Sequence, residues 1–304
     1  MSDDAVCFYY GFKSTNMVKE VYKNQVKTLS KMVQSKIKNK EEELNKEYRE
    51  LIQNKPQLES IKGMIDPFST SMVPQDLASG CIINTMVTSY ENPVETIQKV
   101  SKWFKADYII VIDHEKTYIN LTETYKNNSH MKLIKLPRSS GVFSAGEAHK
   151  ISLRNLSFKK YFNGKMSKFD TFEVGLDLDN YILYTIEIVK IPLSALPQGA
   201  KEEAQKIMVK HADPRTIPLQ NKIIGVLDPL DVEKLDKFEN DGEDSGMKDK
   251  EDFYKQIITS LCRSLVQVHY YDPDKNHLVV NATSPEGIKS KHLIIGELTY
   301  EKDI

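Results

Sequence analysis

An α/β fold is predicted by three features of the chain. Between Gly80 and Leu136 short apolar runs alternate with amphipathic helical stretches, the pattern of βαβ units and a parallel sheet. Before them, apolar residues recur at Val18, Tyr22, Val26, Leu29, Val33 and Ile37, a helical stripe with a lysine-rich opposite face. After Pro137 the helical periods give way, with one exception, to strand patterns.

The elements follow in order. Cys7 to Phe12 is a short apolar run of strand character, and Ser14-Thr15-Asn16 supply capping side chains for the lysine-faced helix. Helix-forming residues continue to Leu51-Ile52 and stop before Pro56, and residues 53–76, with three prolines and no period, read as a loop. Gly80 to Thr85 is predicted as a buried strand. Pro93–Phe104 is a helix with proline in its first turn, and Tyr108–Asp113 is an apolar strand closed by a carboxylate. Glu115–Tyr125 is the next helix and Met131–Leu136 the third strand. These strands are apolar on both faces, which predicts cover on both sides. His149–Gly164 is the exception, a helix after Pro137. Strands are then predicted at Phe172–Leu176, Tyr181–Lys190, Lys222–Leu227, Ile257–Tyr271 (the last beginning as a helix), Leu278–Ala282 and His292–Tyr300, with a hairpin turn at 272–276. Residues 231–252 are acidic and poor in apolar side chains, and read as a flexible insertion. No internal repeat is visible.

The 304 residues allow roughly two domains, and a net charge of −1 leaves no overall field to steer nucleic acid, so any such contact needs a local patch. Three scattered cysteines, Cys7, Cys81 and Cys262, argue against a disulfide framework and fit a reducing compartment. The acidic Met1-Ser2-Asp3-Asp4 start is unlike a signal peptide, and no apolar run approaches a membrane span. Asn-x-Ser/Thr triplets at Asn120, Asn127 and Asn281 are then chance matches.

Most catalytic signatures are missing. Gly164-Lys165 is followed by Met166, so the sequence holds no G-x-x-x-x-G-K-S/T phosphate loop. G-x-G-x-x-G, G-x-S-x-G, H-E-x-x-H and C-x-x-C are absent as well, and the seven histidines are scattered. Two constellations remain. Asp113-His114-Glu115 stands at the C-terminal end of a predicted parallel strand, the edge where open α/β sheets bind ligands; the competing reading is that Asp113 caps the next helix. Lys150, Arg154 and Lys160 fall at near-helical spacing, with Lys159 beside them, and a shared face there would meet phosphate oxygens; an ordinary solvated helix face is the alternative.

The order of motifs resembles the Clp-type polynucleotide 5′-hydroxyl kinase family, subunits of the pre-mRNA cleavage and polyadenylation machinery. Ser79-Gly80-Cys81-Ile82-Ile83-Asn84-Thr85 is similar to one of its strands, and Ile110-Val111-Ile112-Asp113-His114-Glu115 to the next strand and its acidic end. Leu136-Pro137-Arg138-Ser139-Ser140-Gly141-Val142 looks like a family turn, and Arg154 through Lys159-Lys160-Tyr161-Phe162-Asn163-Gly164 like the end of an arginine-rich lid. Pro192 to Gly199 resembles a C-terminal-domain segment, and Tyr9 to Met32 the segment and helix before the first strand. The likeness covers most of the chain apart from about residues 36–75 and 231–252.

The resemblance implies a partial P-loop kinase-like parallel sheet with helices over residues 1–165, followed by a smaller, mostly β C-terminal domain over 166–304. It implies that the chain begins after the place of the family's phosphate loop. Asn84-Thr85 is followed by Met86 where active family members carry a base-clasping tryptophan, the lone Trp103 is expected in a core, and Leu153 and Ser157 thin the lid. The expectation is therefore a nuclear, non-catalytic subunit or fragment of RNA 3′-end processing. It would bind scaffold subunits of the cleavage and polyadenylation factor and, weakly, RNA phosphates, through Arg138, Lys150, Arg154, Lys159 and Lys160, with Asp113 and Glu115 as sheet-edge acids and no metal. No cofactor is expected on this chain alone, although the family uses ATP and Mg, and no membrane contact is expected. The alternative is an ATP-dependent polynucleotide 5′-hydroxyl kinase of which the chain is an incomplete or split part.

Overall fold

The computed structural model describes residues 6–13, 19–54, 80–85, 93–128, 130–142, 146–164, 171–191, 204–229, 247–284 and 288–300. They form two compact units, Val26–Arg138 and a larger one made of Met1–Gln25 with Ser139–Ile304.

The first unit is helical with a small sheet. Helix α1, Lys19–Asn54, begins in the larger unit and is one uninterrupted helix, so the expected insertion from residue 36 starts inside it. Helix α2, Pro93–Phe104, strand β1, Tyr108–Ile112, helix α3, Glu115–Tyr125, and strand β2, Lys132–Leu136, follow as expected. β1 and β2 are parallel, paired from Tyr108↔Lys132 to Ile112↔Leu136. Val100, Val111, Thr117 and Leu121 form the buried side between helices and sheet.

Two expectations fail here. Gly80–Thr85 belongs to no strand, and Ile82 is 99 % exposed. A six-residue apolar run has no structure of its own without a partner strand. Among the described residues the small sheet contains only β1 and β2. Nor is the sheet covered on both faces among the described residues: Tyr108, Ile110 (55 % exposed) and Ile112 alternate outward, with Ile134 and Leu136 also exposed.

The larger unit is built on seven strands, β3 Phe172–Asp177, β4 Ile182–Ile191, β5 Ala204–His211, β6 Lys222–Leu227, β7 Cys262–Asp272, β8 His277–Ala282 and β9 His292–Thr299. Their spatial order is β3-β8-β7-β6-β9-β4-β5, antiparallel throughout except for the β4–β9 pair. The mostly β part is thus the larger unit, not the smaller one expected. β5 adds an edge strand to those predicted; its Ile207-Met208-Val209 core is flanked by Lys206 and Lys210, so no clean alternation announces it. Among the described residues Cys7–Phe12 makes one bridge, Phe8 to Leu261, rather than a strand. Of the predicted insertion, residues 231–246 lie outside the described residues, and 247–252 open helix α5, Met247–Ile258. The predicted helical start of the segment at 257 is the end of this helix.

Inner strand β9 is buried on both faces over its first half, which explains the apolar run Leu293-Ile294-Ile295. Leu293 and Ile295 enter a cluster with Leu176, Ile224, Val266, Val268 and Leu278, while Ile294 enters the opposite one with Tyr9, Tyr184, Ile186, Leu227 and Ile257. Each such side chain is worth about 1.5–3 kcal/mol on burial. The N-terminal segment is part of this core. Tyr9 is 3 % exposed, its hydroxyl donates to the Ile223 carbonyl at 2.7 Å, and it accepts from the Gly296 N–H at 3.1 Å. Those groups sit where the β6–β9 register shifts between Lys222 and Ile224. Gly296 has to be glycine, because a Cβ there would stand 2.3 Å from the Gly11 carbonyl oxygen.

Candidate functional site

At the C-terminal end of β1 the chain turns through Asp113, whose φ of 52° is left-handed and unusual for a residue with a Cβ. Its N–H donates to the Leu136 carbonyl at 3.0 Å, which ties the turn to the end of β2. The expected helix cap is not Asp113. His114 is the N-cap of α3, its Nδ1 accepting from the Thr117 N–H at 3.2 Å. With Asp113 in the left-handed region its side chain is one position too early to reach the first free N–H groups of α3.

The Asp113 carboxylate instead faces Arg138, 3.9 Å from Nε, and Glu115 pairs with Lys135. Lys135 also lies over the Tyr118 ring, 5.9 Å from its centre. Two acids and two bases therefore alternate along the sheet edge, all roughly half exposed. Exposed pairs of this kind are worth about 0–1 kcal/mol each, so the edge is electrically balanced rather than poised. Among the described residues no group of three or more His, Cys, Asp and Glu is arranged to hold a metal.

The basic helix is α4, Glu147–Asn163, in the larger unit. Its anchor is aromatic: Phe158, Tyr161 and Phe162 pack around Ile223 and Tyr300, and the Tyr161 hydroxyl accepts from the Leu265 N–H at 2.9 Å. Burial raises the Tyr161 phenol above its ordinary pKa. Arg154 turns toward this packed side and is half-buried, its Nη1 donating to the Lys13 carbonyl at 3.3 Å. Lys150 is exposed and pairs with Glu147, and Lys159 and Lys160 are exposed. The outward positions also carry Leu153 and Leu156, both exposed. α4 thus shows water a mixed lysine and leucine surface, with its one arginine used partly to tie down the N-terminal segment. Arg138 lies in the other unit, paired with Asp113.

Residues 51–164 match the family model described as the mRNA cleavage and polyadenylation factor CLP1 P-loop. A CLP1 homologue of Arabidopsis thaliana is 23 % identical over 99 % of this chain and 56 % of its own length. The mRNA cleavage and polyadenylation factor CLP1 of Malassezia globosa is 25 % identical over 67 % of this chain and 37 % of its own. A CLP1 homologue of Dictyostelium discoideum reaches 35 % over 36 % of this chain. The chain is similar to Clp1-type cleavage factors, by family model over residues 51–164 and by weaker likeness over nearly its whole length. The chain spans about half the length of the Arabidopsis relative, or 56 %. Clp1p, solved in complex with Pcf11p, shares the fold at a TM-score of 0.61 and 15 % identity, over 99 % of this chain and 59 % of the Clp1p chain. A second Clp1p–Pcf11p structure gives 0.61 and 14 %.

The Clp1-type relatives point to ATP and Mg, and among the described residues the sheet-edge acids do not fit that pair. The sequence holds no G-x-x-x-x-G-K-S/T, and Asp113 and Glu115 are already matched by Arg138 and Lys135. The site-like features that sequence reasoning missed are buried ones. Tyr9 bridges two backbone groups, Gln25 donates to the carbonyls of Tyr9 and Ile258 at 2.9 Å each, and His292, 4 % exposed, stacks on Tyr184. Each depends on a partner far away in the chain, and no local pattern announces it.

Proposed function

We propose that this chain acts in mRNA 3′-end cleavage and polyadenylation as a non-catalytic subunit or fragment in the nucleus. The observation that carries this reading is the Clp1-type relationship of a chain whose sequence has no phosphate loop. Phosphoryl transfer is catalysed by positioning and charge neutralisation, which such a loop, its lysine and Mg would supply. Residues 1–165 are the second half of a kinase-like domain in this reading, and 166–304 the C-terminal domain.

Its contacts would be of two kinds. A Pcf11-type scaffold protein is the protein partner, by likeness to the solved Clp1p–Pcf11p complex. RNA phosphates meet the exposed Lys150, Lys159 and Lys160 of α4, with Arg154 at the edge of the packed side; Arg138, in the other unit, is a separate phosphate contact. Such contacts are insensitive to base sequence. No described helix is long and apolar enough to cross a membrane.

The second reading, an ATP-dependent polynucleotide 5′-hydroxyl kinase working as a split enzyme, rests on the same relationship. One experiment separates them: the purified chain is incubated with Mg-ATP and a 5′-hydroxyl RNA, alone and with the Pcf11-type segment. Co-elution with that segment and no phosphate on the RNA supports the platform. Phosphate transfer by the chain alone overturns it.

A further inference from the structure

The bridge between Phe8 and Leu261 is antiparallel, so one step along each strand sets Cys7 opposite Cys262. The Cys262 N–H donates to the Cys7 carbonyl at 2.9 Å, which places the two at a hydrogen-bonded position of the antiparallel bridge. Side chains directly opposite one another in an antiparallel ladder point to the same face, and the Cα atoms of such a pair lie about 5.5 Å apart. That separation falls inside the range of roughly 4.4–6.8 Å that disulfides span. The Cys7 sulfur is close enough to act on its neighbour: a charge on Cys7 opposes ionisation of Cys262, and both act on Tyr161. Cys7 is exposed, while Cys262 is 8 % exposed, with its thiol set against the Ser264 carbonyl at 3.3 Å.

We propose that Cys7 and Cys262 form a reversible cross-strand disulfide that latches the N-terminal segment to β7. The oxidant is a low-molecular-weight disulfide such as oxidised glutathione. The Cys7 thiolate attacks one of its sulfurs, forms a mixed disulfide and expels one glutathione thiolate. The Cys262 thiol then gives up its proton and attacks the Cys7 sulfur, expelling the second. Two protein thiols are oxidised, one glutathione disulfide is reduced to two thiols, and the two protons pass to the leaving thiolates. Burial pushes the Cys262 thiol up to about 12, so the second step is the slow one and quickens with pH.

The segment being latched matters to the fold. It carries Tyr9 and Phe12 into the core, and the Gly11 carbonyl accepts from the Glu297 N–H at 2.7 Å. Oxidation would hold these contacts in place without moving them.

The test uses the full chain in buffered mixtures of oxidised and reduced glutathione, quenched with a thiol-blocking reagent and mapped by mass spectrometry without reduction. The expected product is a Cys7–Cys262 linked peptide pair, which disappears on adding dithiothreitol. Cys81, exposed and in the other unit, is the internal control and should carry glutathione only. Hydrogen exchange over residues 6–13 should slow on oxidation. The variant Cys7→Ser alters an exposed position and should abolish the link. Stable glutathione on Cys7 with Cys262 still free, a Cys7–Cys81 link, or unchanged exchange over 6–13 would overturn the proposal.

Discussion

Replacing Tyr9 by Phe isolates one atom of consequence. The ring and its burial stay, and only the hydroxyl that donates to Ile223 and accepts from Gly296 is removed. Both backbone groups sit at the register shift of the β6–β9 pair. Leaving a buried donor or acceptor unpaired costs about 1–3 kcal/mol, so two together should cost about 2–6 kcal/mol. With a urea slope of about 1–3 kcal/mol/M, the midpoint of the larger unit should fall by roughly 1 M or more at unchanged slope. Far-UV circular dichroism would follow the transition, and hydrogen exchange of the peptide containing Gly296 would locate it. Trp103 belongs to the other unit, so its fluorescence provides a control. A destabilisation below about 0.5 kcal/mol, with the Gly296 amide as protected as in the parent chain, would refute the claim that the hydroxyl satisfies these groups.

Other expectations follow from the same geometry. His292 is held below its ordinary pKa by burial and by His211, so it folds neutral while the unfolded chain binds a proton. Its contribution is complete above pH of about 6.5 and declines as pH falls from there toward its folded value. Urea midpoints between pH 5 and 7 should show this decline, and His292→Phe should flatten it; an equally steep decline in the variant would assign the effect to another group. Gly296→Ala forces a methyl against the Gly11 carbonyl and should destabilise the larger unit by about 3 kcal/mol or more, read by thermal melting. Ile110→Thr on the open face of the small sheet should change stability by no more than about 0.5 kcal/mol, and a drop of several would mean that face is covered. For RNA, Lys159→Ala with Lys160→Ala should lower the log–log salt slope of oligomer binding by about 0.7 for each phosphate no longer neutralised, measured by fluorescence anisotropy. An unchanged slope would place the RNA surface away from α4.

Local pattern by itself determined most elements of this protein. The helical stripe from Val18, the βα alternation from Pro93 to Leu136 and the apolar runs of β6 to β9 each encode a period that a short window reveals. The likeness to Clp1-type factors is legible for a similar reason, since ordered motifs survive as linear text. What the tertiary structure decided are the matters of pairing. Gly80–Thr85 has the composition of a strand yet forms none, because a strand exists only where a neighbour accepts its hydrogen bonds. Ile110 and Ile112 look like core residues and lie open, because burial depends on what packs above them. Helix capping passed from Asp113 to His114 through a single left-handed turn. The position of Tyr9 at the β6–β9 register shift, and of Cys7 opposite Cys262, joins residues more than two hundred positions apart. Side-chain chemistry is written in the sequence, but the distance between two such groups is set by the folded chain, and that distance decides what they can do.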